Sequence, residues 1–188
     1  MTAPEAAGAF ARSVESWHEF YVLAGTAAVT LVGLLFVALS FHLDALIDAR
    51  RAHLLALARA AFSSFLYVML LALMFLVPGQ SRRVLATSTA IAALGFLIVA
   101  IVMGRRAPAT ADPDGHGRSL MRRRRTMIAL FALGLVVPAG LARAHDTDWL
   151  MGFVVIVVGQ LANAAWTSWD LLVEVGRMRR ANPERERG

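Results

Sequence analysis

Residues 20–43 read FYVLAGTAAVTLVGLLFVALSFHL, an uncharged, strongly apolar run of 24 residues. At a helical rise of about 1.5 Å per residue, such a run crosses the roughly 30 Å hydrocarbon core of a bilayer. Four more runs follow it, Ala60–Ser81, Val84–Gly104, Thr126–Ala142 and Trp149–Trp169, of 22, 21, 17 and 21 residues. All lie within the ~17–25 residues that a spanning helix needs, and above the ~10–14 typical of a buried soluble helix. The sequence therefore predicts an all-α, polytopic transmembrane bundle of five helices. The spans are expected near 20–43, 60–78, 84–104, 126–142 and 149–170.

Charge sets the expected orientation. All 19 basic residues are arginines. With five spans, Arg12, Arg82, Arg83 and Arg143 share a side with the N-terminus, and the other 15 fall opposite. Basic loops resist translocation, so the N-terminus is expected outside and the C-terminus in the cytoplasm, as in a multi-pass protein of the plasma membrane. The formal charge of +6 then belongs to a membrane surface rather than to nucleic acid. The run Arg122, Arg123, Arg124 and Arg125 is the candidate for lipid headgroups. The segment before the first run holds Glu5, Glu15 and Glu19 against Arg12, unlike the basic start of a signal peptide, so the run reads as a span.

Residues 1–18 form an acidic lead-in with helical character, residues 19–175 the membrane domain, and residues 176–188 a basic tail. The connection 105–125, with Pro108, Pro113, Gly115 and Gly117, is the one long cytoplasmic linker. Val77-Pro78-Gly79 is expected to end the second span, and Val137-Pro138-Ala139-Gly140 the fourth. Trp17, Tyr21, Trp149, Trp166 and Trp169 cluster at span ends, where amphipathic rings form an interfacial belt.

The first span carries a polar stripe. Thr26, Thr30, Gly33, Val37 and Ser40 recur at alternating spacings of four and three, placing them on one helical face. Glu15 and Glu19 extend this face outward, and Asp44 and Asp48 inward. Small and hydroxylated residues mark close helix–helix seams in lipid, and the same stripe could line a pore with carboxylates at both mouths. Gln160, Asn163 and Thr167 form a comparable face on the fifth span, and the two faces are expected to meet. Arg59 and Asp170, near the arginine-rich boundary, are expected to pair.

Other chemistry is sparse. His18, His145, Asp146 and Asp148 are the candidates for a divalent cation, but their spacing matches no ligand pattern and no metal is assigned. His42 and His53 lie eleven residues apart, too weak a pattern to predict a haem. No cofactor is expected. Without cysteine, thiolate metal sites and thiol catalysis are excluded. His18-Glu19-Phe20-Tyr21-Val22 lacks the second histidine of a zinc motif, and no nucleophile–base pair falls at membrane depth, so catalysis is not expected. No Asp, Glu, Lys, Arg or His lies in the middle of a span, which disfavours a proton-driven carrier. Two expectations remain. One is an oligomeric channel-like protein passing a cation or small polar solute along the first span. The alternative is a non-conducting membrane protein that binds or regulates another. Either invokes the lipid bilayer and a homo-oligomer or a membrane-protein partner.

Overall fold

A computed structural model describes residues 3–40, 52–106, 117–143 and 148–181. Among these residues the chain is all helical and has no strand. The helices are α1 (Ala3–Ser16), α2 (His18–Ser40), α3 (Ala52–Leu76), α4 (Arg82–Arg106), α5 (Gly117–Arg143) and α6 (Trp149–Ala181). Helices α2 to α6 each contain a segment long and apolar enough to cross a membrane, as an integral membrane protein requires.

Helix α3 ends where the backbone must reverse: Gly79 takes a φ of 70°, open to glycine at no steric cost. Gln80 donates to the carbonyls of Met74 and Val77, satisfying the end of α3. Ser81 then caps α4, its Oγ accepting from the Val84 N–H at 3.3 Å. Pro138 does not end the fourth span as its sequence context suggests; α5 continues through it to Arg143. Membrane helices tolerate an internal proline where neighbouring helices cover it, and Pro138 is buried. Helix α5 also starts earlier than expected, so residues 117–125 of the anticipated linker are helical, and α6 runs to Ala181.

Helices α3, α4, α5 and α6 close into a ring in that order, with α3 also packing on α6. Helix α2 stands outside the ring, docked mainly on α3. Its buried residues are Tyr21, Ala24, Ala28 and Leu35, at helical spacing on one face. Alanines here let the backbones approach: a Cβ on Gly25 would meet the Ala72 Cβ at 3.0 Å. The α5–α6 seam uses the same device, since a Cβ on Gly152 would meet Val137 at 2.7 Å and one on Gly159 would meet Leu130 at 2.9 Å.

Aromatic rings fill the core in two groups. Tyr21 stacks on Phe75 at 4.0 Å, and Phe75 meets Phe153 edge-on at 5.0 Å. Tyr21 is therefore a core residue and not part of the expected interfacial belt, because it shares the Ala24 and Ala28 face. Trp166 and Trp169 do point outward. In the middle of the bundle Tyr67 packs against Phe96 at 5.3 Å and Phe131 at 5.0 Å. Helix α1 is amphipathic and lies on the end of the bundle, with Phe10 buried and Arg82 5.1 Å from its ring centre.

Candidate functional site: an outward stripe and buried polar residues

The stripe on α2 faces away from the bundle. Thr26, Thr30, Gly33, Val37 and Ser40 are all exposed. At about 100° per residue they centre roughly opposite the buried Tyr21–Leu35 face. Their hydroxyls are satisfied within the helix: Thr26 donates to the Val22 carbonyl, Thr30 to that of Thr26, and Ser40 to that of Phe36, each at 2.8 Å. Such bonds let a hydroxyl face an apolar surface without an orphaned donor. No atom lies within 4 Å of a Cβ built on Gly33. Only 17% of this span is buried, against 33–44% of the other four.

The polar face of α6 points elsewhere. Gln160 is fully buried, Thr167 is buried with its hydroxyl on the Asn163 carbonyl at 2.7 Å, and Asn163 is half-buried. The expected meeting of the two faces does not occur. Helix α2 presents its alanine face to the bundle, and its threonines need no partner beyond their own backbone.

Among the described residues, Gln160 is one of three buried polar residues without a partner. Ser64, Tyr67 and Gln160 are each 0% exposed, and the Ser64 Oγ, the Tyr67 hydroxyl and both Gln160 amide atoms have no hydrogen-bond partner. All three sit within about 3 Å of the middle of their spans, at 1.5 Å per residue. The Tyr67 hydroxyl lies against Gly134, whose lack of a side chain makes room for it. Pro138, four residues on, removes the helical donor that the Gly134 carbonyl would otherwise receive. By contrast Thr89, also buried, bonds the Leu85 carbonyl at 2.7 Å. Each of the three offers hydrogen-bonding atoms but no ionised group. Sequence reasoning singled out Gln160 and missed Ser64 and Tyr67. The available signal was a tyrosine at mid-span, far from the interfaces where tyrosines usually sit.

Glu15, His18 and Glu19 are exposed, as is Asp148. Glu15 does not extend the stripe as expected, because α1 ends at Ser16 and the stripe's helix begins only at His18. Among the described residues no three of His, Asp and Glu are grouped to hold a metal. Arg59 is exposed and Asp170 half-buried. Arg122 and Arg125 are exposed, whereas Arg124 is half-buried with its guanidinium against Gly104. His42, Asp44, Asp48, His145 and Asp146 lie outside the described residues, as do the side chains of His53 and Arg123. No protein-family model matches the chain, and no curated protein or solved structure is detectably similar to it.

Proposed function

We propose that this is a non-conducting integral membrane protein that assembles through the outward stripe of α2, with a second copy of itself as the occupant. What supports the reading is the position of Thr26, Thr30, Gly33 and Val37: exposed on the peripheral helix, opposite its docked face, with open space around Gly33. In lipid, helices associate where small residues let backbones approach, not where large apolar residues face tails of equal polarity. Copies in one membrane share an orientation, so a two-fold axis along the membrane normal sets the stripe against itself at matched depth. The 3.5-residue recurrence suits a left-handed crossing of two such helices.

A channel is the second reading. It places the same stripe around a shared axis with Glu19, in the first turn of α2, at one mouth, and that carboxylate is exposed. Hydroxyls already closed on their own carbonyls favour a dry seam over a wetted wall.

The chain has no cysteine, so single cysteines can be scanned directly. In vesicles, Thr30→Cys and Gly33→Cys are expected to form disulfide-linked dimers, and the lipid-facing controls Leu23→Cys and Leu34→Cys are not. Equal cross-linking all around the exposed arc refutes the seam. Labelling of Thr30→Cys by a membrane-impermeant thiol reagent, with cation flux that falls in Glu19→Gln, establishes the channel instead. A different protein co-purifying in fixed ratio without self-cross-linking replaces the second copy by another partner.

A further inference from the structure

Helices α3 and α4 are the most loosely packed neighbours in the four-helix ring. Between them runs a lipid-facing groove of about 490 Å³, lined almost wholly by apolar side chains. Phe62 and Leu66 form one wall, Val99 and Met103 the other, and Gly95 leaves the floor bare, with no atom within 4 Å of a Cβ built there. Along α4 the groove extends from Ile91 to Met103, about 18 Å at 1.5 Å per residue. That is close to one leaflet, half of the roughly 30 Å hydrocarbon thickness.

One end of the groove carries a charge. Arg59 is its first residue on α3, and Met103 is its last on the antiparallel α4, so both mark the end on the arginine-rich side. Arg59 is exposed and lies about 9 Å from the middle of the span Leu54–Leu76, at 1.5 Å per residue. A guanidinium facing lipid at that depth is unfavourable unless its long side chain reaches the headgroup level and meets an anion there. Exposed Arg105, Arg122 and Arg125 add positive potential on the same side.

We infer that the α3–α4 groove is a binding site for an anionic phospholipid of that leaflet, one acyl chain lying along Gly95 and the phosphate held by Arg59. Groove length selects a single-leaflet lipid, apolarity selects its chain, and the guanidinium selects an anionic headgroup. This site is independent of the α2 stripe and stands whether or not the chain self-associates.

The test uses the full-length protein, delipidated in a neutral detergent. It is titrated with phosphatidylglycerol, with phosphatidylcholine of the same chains, and with inorganic phosphate, while bound lipid is read by native mass spectrometry and stability by thermal melting. Phosphatidylglycerol is expected to bind about fivefold more tightly than phosphatidylcholine, the preference one surface arginine contributes. Arg59→Gln is expected to abolish that preference at an unchanged lipid-free melting temperature. Gly95→Leu, which places a side chain in the groove, is expected to weaken both lipids equally. Equal binding of the two lipids by the wild-type protein overturns the proposal, as does a preference that survives Arg59→Gln. If inorganic phosphate alone reproduces the stabilisation, or Gly95→Leu leaves lipid binding unchanged, the chain-in-groove assignment is wrong.

Discussion

Replacing Gly134 by alanine tests the packing at the middle of the bundle. A Cβ at this position would overlap the Tyr67 hydroxyl and meet the Ala93 Cβ at 3.0 Å. The ring cannot swing aside, because Tyr67 is fully buried and flanked by Phe96 at 5.3 Å and Phe131 at 5.0 Å. Overpacking of this kind costs about 1–3 kcal/mol. Tyr67→Phe removes the oxygen that the new methyl would strike, and that oxygen has no hydrogen-bond partner to lose. On its own, Tyr67→Phe should be neutral or slightly stabilising, since an unsatisfied buried hydroxyl is replaced by an apolar edge of the same shape. In the Gly134→Ala background it should recover about 1–2 kcal/mol, leaving only the milder Ala93 contact. The assay is a double-mutant cycle of reversible denaturant unfolding in micelles. A Gly134→Ala variant within about 0.5 kcal/mol of wild type, or a cycle with no coupling, would refute the placement of Tyr67 against α5. A large loss from Tyr67→Phe alone would show that the hydroxyl is bonded, most simply to the Gly134 carbonyl that Pro138 deprives of its donor.

Gln160→Met exchanges a fully buried amide with two unpartnered atoms for an apolar side chain of similar length, and should stabilise the bundle by about 1–3 kcal/mol in the same unfolding assay. Loss of stability there would mean the amide is satisfied in the native protein, as by a bound polar molecule. Gly152→Leu should weaken the α5–α6 seam by about 1–3 kcal/mol, whereas Gly33→Leu, which meets no atom within its own chain, should leave monomer stability within about 0.5 kcal/mol and reduce dimer cross-linking. Phe10→Ala removes the buried anchor of α1 and its contact with Arg82, so hydrogen exchange across residues 3–16 should quicken while the five long helices stay protected.

Reading the chain alone recovered much of the secondary structure and little of the site. A helix stop with a local cause was legible, as at Val77-Pro78-Gly79. Pro138 misled because its tolerance depends on the helices around it, which no local pattern reports. On α2 a 3.5-residue recurrence of small residues picked out a face that turns outward, and a second small-residue face, Ala24, Gly25 and Ala28, is the one that docks. Tyr21 was drawn to the interface by its residue type and to the core by its helical position, and position prevailed. Ser64 and Tyr67 escaped notice because a lone hydroxyl in an apolar helix carries no mark of what faces it.

The long apolar helices and their approximate lengths were legible in the chain because they follow from a local constraint. A backbone crossing hydrocarbon must satisfy its own hydrogen bonds, so each crossing appears as an uninterrupted apolar run of sufficient length. Which face of each helix turns inward was decided only by the tertiary structure. Lipid tails and a protein core are equally apolar, so hydrophobic patterning cannot tell them apart. Close packing between particular side chains does: Ala72 against Gly25, Val137 against Gly152, and Tyr67 against Gly134.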